Sequence, residues 1–245
     1  MTARPGTIAR TMASFPQTFD HFLVLNKPLH LSSAAALNRL KRTLPRGTKL
    51  GHAGTLDPLA TGVLVALLGR ATKQSDRVMG LGKTYEATIT LGARSETDDA
   101  EGPITPDETP PTSSSRDDVL ATLTKFVGHI EQLPPAFSAL KVGGRRACDR
   151  VRDGQTVELK PRVIRIDAID LLELDWPTVR IRVDCGKGTY IRSLARDIGV
   201  ALGTNGYLSG LVRSRVGPFD LAKSVDPDAG VEAIVEKLIP VSAIG

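Results

Sequence analysis

Three stretches of this chain alternate apolar and polar residues with a period of two, and that pattern constrains the fold most. In Lys83 to Leu91, Tyr85, Ala87, Ile89 and Leu91 share one face, and Thr84, Glu86, Thr88 and Thr90 the other. Arg162 to Leu174 alternates around Ile164, Ile166 and Ala168, and Val179, Ile181, Val183 and Cys185 repeat the pattern. Each reads as a strand with one wet face. His21 to Leu25 adds a short strand that runs into a turn at Asn26-Lys27-Pro28.

Helical spacing separates these runs. Ser32 or Ser33 can cap a helix carrying Leu37, Leu40 and Leu44, which Pro45 and Gly47 end. Asp117 or Asp118 can start another through Val119, Leu123 and Phe126, closed at Gly128, and Ile191, Leu194, Ile198 and Leu202 form a third. Residues 97–115 are acidic and rich in Pro and Ser, which predicts a surface loop. Antiparallel-like strand runs with helices between them, without strict strand–helix alternation, give the class α+β.

A length of 245 residues holds one large domain, or one domain with a substantial insertion. The longest apolar run, Val63 to Leu68, falls far short of the ~20 residues of a membrane span. Cys148 and Cys185 show no metal-ligand spacing and make no disulfide framework, which predicts a reducing, cytosolic setting. Residues 1–19 hold Arg4 and Arg10, no acid and no apolar signal core, and read as a disordered leader. The net charge is only +5, but the cations cluster: Lys141, Arg145, Arg146, Arg150 and Arg152 against Asp149, and further on Lys187, Arg192, Arg196, Arg213 and Arg215. Such clusters predict a polyanionic partner, because phosphate neutralisation needs local charge density.

One segment stands out chemically. Gly51-His-Ala-Gly-Thr-Leu-Asp-Pro-Leu-Ala-Thr-Gly62 packs three glycines, a proline and one carboxylate into twelve residues. It reads as a tight loop presenting His52 and Asp57. Asp57-Pro58 can open a turn or a short helix, and on its own Asp57 is better explained as the cap of that helix with Pro58 at its first position.

That segment, continued through Gly69, Ala71, Thr72 and Lys73, closely resembles the signature of the TruB-type tRNA pseudouridine synthases. The resemblance extends along almost the whole chain. Asn26-Lys27-Pro28 with Ser32-Ser33 is similar to the family's D-K-P-x-G-x-[ST]-S segment, with Asn26 for Asp and His30 for Gly. The second departure bears on backbone shape, since His avoids most positive-φ states that Gly accepts. Lys83-Thr-Tyr85 resembles the K-x-Y strand. Gln132 to Lys141 and Gly143 to Gly154 resemble the inserted RNA-gripping thumb, with Cys148 where Tyr is common and Val151 where Ala is. Gly186-Lys-Gly-Thr-Tyr-Ile-Arg192 matches the third motif, and Leu211-Val-Arg213 before Gly217-Pro-Phe219 the closing one.

The resemblance implies a largely antiparallel mixed sheet flanked by helices, with a thumb inserted at about 130–155. It implies conversion of uridine to pseudouridine at position 55 in the T-arm of tRNA. Asp57 would be the catalytic carboxylate, acting on a flipped-out base. Arg192 would pair with it, Tyr85 stack on the base, and Tyr190 and Leu211 line the site. His52 would fill the gap the base leaves. Lys27, Lys141, Arg145, Arg146, Arg152 and Arg213 would contact RNA, mostly through phosphates. The chemistry needs no cofactor or metal, and a cytoplasmic monomer without an obligate protein partner is expected. Longer relatives carry a C-terminal RNA-binding (PUA) domain after a segment like Leu238 to Val241. This chain stops at Gly245, so weaker and more salt-sensitive tRNA binding is expected. Two alternatives are a silent tRNA-folding chaperone and a synthase for another RNA.

Overall fold

The computed structural model describes residues 14–16, 19–109, 113–138 and 140–243. The expected leader, apart from four of its residues, lies outside these. In chain order the elements are β1 (His21–Lys27), α1 (Ser33–Thr43), β2 (Leu50–Ala53), β3 (Ala60–Leu68), α2 (Ser75–Gly80), β4 (Lys83–Leu91), β5 (Ala93–Ser95), β6 (Ile104–Pro106) and α3 (Arg116–Thr124). There follow β7 (Gly128–Gln132), β8 (Lys141–Val142), β9 (Arg145–Arg146), α4 (Ala147–Arg152), β10 (Arg162–Asp175), β11 (Thr178–Cys185), α5 (Ile191–Ala201), β12 (Gly206–Val216), β13 (Phe219–Asp220), α6 (Val231–Glu236) and β14 (Ile239–Pro240).

Ten strands make one mixed sheet in the order β14-β1-β3-β12-β4-β11-β10-β7, with β13 on β12 and β2 on β3. Its pairings are antiparallel except β12 on β3, where Leu211, Val212 and Arg213 run parallel to Ala60, Thr61 and Gly62. That single parallel contact brings the chain around residue 60 against the chain around residue 212. Gly62 makes it possible: its φ is +98°, and a Cβ there would stand 2.3 Å from the Arg213 carbonyl oxygen. The α+β class and the largely antiparallel sheet agree with the sequence.

Val63 to Leu68 is apolar throughout because β3 is covered on both faces. Leu64, Ala66 and Leu68 pack with Leu23, Leu25 and the Leu37 and Leu40 side of α1. Val63, Val65 and Leu67 pack with Phe22, Val24, Val78 and Phe219. On the other half, Ile89, Val179, Ile181 and Val183 lie under Leu194 and Ile198 of α5. Each such fully buried side chain contributes roughly 1.5–3 kcal/mol.

Several local expectations need correction. Gly51 to Gly54 is not all loop, because Leu50–Ala53 pairs with β3, His52 opposite Ala66. No helix follows Asp57; a turn closed by the Ala60 N–H on the Asp57 carbonyl (3.0 Å) leads straight into β3. The cap of α3 is Ser115, with Asp118 completing a reciprocal capping box, and Gly128 opens β7. The acidic stretch expected at the surface forms the β5–β6 hairpin and folds inward at Asp99, which is buried. His30 adopts φ +61°, so it takes up the left-handed conformation expected to suit glycine.

Candidate active site

Asp57 projects from the turn before β3 at the edge of a cleft of about 580 Å³. Its carboxylate is 42% exposed and meets the buried guanidinium of Arg192, Oδ2 to Nε 3.1 Å. Arg192 sits in the first turn of α5, and three further contacts fix it. Nη1 donates to the Thr97 carbonyl (3.1 Å) and Nη2 to that of Phe137 (3.0 Å). A second carboxylate, Asp99, lies 3.5 Å from Nη1. Arg192 is therefore clamped between the acidic loop and the segment entering the thumb, with only one edge left for Asp57. A guanidinium so placed orients the carboxylate it meets.

Asp57 is equally fixed from behind. The Ser33 hydroxyl donates to the Leu56 carbonyl (3.0 Å) and accepts from the Leu56 N–H (2.8 Å). The His30 N–H donates to the Pro58 carbonyl at 2.8 Å. Lys27, fully buried, points its ammonium at the carbonyls of Leu31 (2.6 Å), Pro28 (2.9 Å) and Pro58 (3.4 Å). Burial pushes its pKa down to about 8. Lys27 thus ties the Pro28–Leu31 turn to the residue after Asp57, which corrects its expected role as an RNA contact: no part of it reaches the surface.

Arg213 needs the same correction. It is 2% exposed. Its Nε donates to the Val63 carbonyl (2.7 Å), and Nη1 and Nη2 to those of Thr55 (3.4 Å) and Gly54 (3.0 Å). It stands opposite Tyr85 across the β12–β4 ladder. Among the other late cations, Arg196 pairs with Asp98 (2.7 Å) and Asp197 (2.9 Å), and Arg215 with Asp184 (3.3 Å). Of that expected phosphate-binding cluster, Arg192, Arg196 and Arg213 brace the protein, while Lys187 and Arg215 are exposed.

Tyr85, Tyr190, Leu211 and Arg192 line the cleft with Asp57, as do Met79, Lys83, Arg162, Val163 and Lys187. Tyr85 is largely buried, which raises the pKa of its phenol and keeps it neutral. Tyr190 is held through its backbone by a buried amide that sequence reasoning missed: Gln132 Nε2 donates to its carbonyl (3.1 Å), and its N–H donates to Gln132 Oε1 (2.8 Å). His52 lies on β2, two residues before the cleft wall begins at Gly54. Burial and then Arg213 lower its pKa, so the ring is neutral at pH 7.

In the expected thumb, the hairpin of β8 and β9 leads into α4. Arg145 is exposed and pairs with Asp153 at 2.7 Å, a contact worth little in water, and Arg152 is exposed. The side chains of Lys141 and Arg146 lie outside the described residues.

A carboxylate held beside a clamped arginine, in a cleft with a tyrosine wall and a cationic rim, can act on an anionic substrate carrying a flat group. Comparison of the fold narrows this. The chain matches the Cbf5 subunit in the crystal structure of a Cbf5–Nop10–Gar1 complex with a TM-score of 0.68 at 28% identity, covering 90% of this chain and 60% of that one. A second likeness is to an archaeal box H/ACA Nop10–Cbf5 complex, TM-score 0.65 at 27% identity, with the same coverage of each chain. Fold and site together define an enzyme of the pseudouridine synthase class, an isomerase.

Sequence comparison resolves the class further. Residues 41–191 match the model of the TruB family pseudouridylate synthase N-terminal domain. The tRNA pseudouridine synthase B of Bacteroides fragilis is 48% identical over 226 residues, 90% of this chain and 96% of that protein. That of Burkholderia mallei is 45% identical over 232 residues, 93% of this chain and 76% of that protein. The chain belongs to the TruB pseudouridylate synthase family.

Proposed function

We propose that this enzyme isomerises the T-arm uridine at position 55 of tRNA, with Asp57 as its catalytic carboxylate. The observation that carries the reading is the Asp57–Arg192 pair at 3.1 Å, on a cleft shared with Tyr85 and Tyr190. In this reaction the bond from N1 of the base to C1′ breaks, the base turns, and C5 bonds to C1′. The proton on C5 is then lost and N1 gains one, so the product is an isomer and no redox partner or metal is consumed.

A uracil inside an RNA hairpin must leave its stack to reach Asp57. Tyr85 offers a neutral aromatic face for the displaced base, and the neutral ring of His52 can occupy the gap left behind. The carboxylate is suited to the oxocarbenium-like sugar formed as N1 departs, as in glycoside chemistry. It can attack C1′, add to the base, or take the C5 proton. Arg192 supports each of these by holding the carboxylate of Asp57 in place. The relatives named for tRNA and the cationic thumb support tRNA as substrate. We further infer a cytoplasmic monomer that works without a partner protein and grips the T-arm through the thumb segment at about 130–155, including Lys141, Arg145, Arg146 and Arg152.

Asp57→Asn tests the central claim. It should abolish pseudouridine formation in a T-arm transcript while leaving tRNA affinity intact. A variant that modifies tRNA at the parental rate refutes the role of Asp57.

A further inference from the structure

Lys83 opens β4 two residues before Tyr85, so the two side chains leave the same face of the strand, about 7 Å apart along it. Both line the cleft. The Lys83 ammonium donates to the carbonyls of Met79 and Leu81, each at 2.6 Å. An ammonium has three donors. Two are engaged at the carboxyl end of α2, which leaves a third on a side chain that lines the cleft.

The charges around it are unusual for a lysine in this position. Arg213 of β12 and Lys187 of the turn after β11 face it, and both are cations. Cys185, directly opposite on β11, is pushed up to about 11 by burial and stays a neutral thiol. Tyr85 stays neutral as well. Among the described residues no carboxylate compensates Lys83. Burial and these neighbours bring its pKa down to about 8. Asp57, moreover, is the one carboxylate among the described residues on a cleft wall that also holds Lys83, Arg162, Lys187, Arg192 and Arg213. Holding excess positive charge in a half-buried site costs free energy that an anion in the cleft would recover.

Uracil is neutral, so the anionic part of the bound nucleotide is its phosphate, one ribose away from the base. With the base on Tyr85, the same face of β4 offers Lys83 at that remove. We propose that Lys83 binds a phosphate flanking the target uridine and so sets how deeply the nucleotide enters the cleft. This rests on the cleft being the uridine pocket. Lys83 then has two roles, tying down the end of α2 and anchoring the substrate backbone.

The test is a charge-deletion cycle. A T-arm hairpin carries a neutral methylphosphonate in place of the phosphate 5′ or 3′ to the target uridine, one at a time. Binding is measured with Lys83, Lys83→Gln and Lys83→Arg, all in the Asp57→Asn background so that the RNA is not converted. One of the two methylphosphonates should weaken binding to the Lys83 protein roughly tenfold, in the range of a charge-assisted hydrogen bond. Lys83→Gln should bind the unmodified hairpin equally weakly and be indifferent to that methylphosphonate. Lys83→Arg should restore binding, and only the Lys83 protein should lose affinity as pH rises through about 8. If Lys83→Gln responds to both methylphosphonates as the Lys83 protein does, the proposal is overturned. Should Lys83→Gln unfold on a melting control, the pH profile decides, and identical profiles for Lys83 and Lys83→Arg overturn it. Failure of the uridine reading shows separately, as absence of pseudouridine in the unmodified hairpin treated with the parent enzyme.

Discussion

Replacing Arg213 by methionine separates two views of a cation in this family motif. The sequence assigns Arg213 to RNA; the structure gives it to the protein. Its guanidinium serves the carbonyls of Gly54, Thr55 and Val63, with 2% of the residue exposed. Methionine fills the volume of the stem but leaves three acceptors unpaired. At about 1 kcal/mol or more for each buried group, the loss is roughly 3 kcal/mol. Relief from burying a charge returns part of it, leaving a net loss of about 2 kcal/mol. For a domain of this size each kcal/mol lowers Tm by ~2–4 °C, so the variant should melt about 4–8 °C below the parent. Arg213→Lys should recover little, since a point ammonium does not reproduce a planar fork spread over three carbonyls. A residue facing RNA behaves differently: losing one phosphate contact lowers the slope of log affinity against log salt by ~0.7–0.9 and leaves Tm alone. Calorimetry and a salt titration of tRNA binding therefore decide. A variant that melts within about 2 °C of the parent and loses close to one unit of salt slope would refute the structural assignment.

Ser33→Ala removes the hydroxyl that both donates to and accepts from Leu56, leaving two buried backbone groups without partners. We expect a loss of about 2 kcal/mol in urea unfolding, and slower single-turnover pseudouridine formation with tRNA affinity unchanged. The pH dependence has a definite sign. Lys27 and Lys83 are both brought down to about 8 from 10.5, so between those values the unfolded chain binds more protons than the folded one. Their contribution to stability therefore rises with pH across that window. Urea midpoints at pH 8, 9 and 10 should show the rise, and Lys27→Met should reduce it; equal slopes for parent and variant would count against the burial of Lys27.

How far the sequence could foresee this site depends on which contacts are local. Asp57, Tyr85, Tyr190, Arg192 and Leu211 line one cleft, and each is legible from a motif within a short segment. What the motifs leave unsaid is how the parts are held. Asp99 was hidden because its surroundings have the composition of a solvated loop, yet its carboxylate is satisfied within that loop by the Thr97 hydroxyl (2.5 Å) and the Glu101 N–H (3.0 Å). Such Asx-like patterns are common at surfaces, so nothing in them announces an inward turn. For Arg213 a signal did exist. Residues two apart on a strand share a face, and Leu211, already assigned to the site by its motif, puts Arg213 beside it. Counting charges obscured that, because a cluster in sequence says nothing about which cations point inward.

The inward cations have a common cause. A segment that presents a carboxylate to a cleft cannot also lie in a sheet ladder, yet its backbone groups still need partners. From Gly54 to Pro58 those partners are largely side chains: Arg213 for Gly54 and Thr55, Ser33 for Leu56, and Lys27, with the His30 N–H, for Pro58. Long cations suit this work because each reaches several carbonyls at once from a neighbouring strand. The loop that presents Asp57 is therefore braced from behind by side chains of neighbouring strands, which is why Lys27 and Arg213 stand in the motif segments yet face inward.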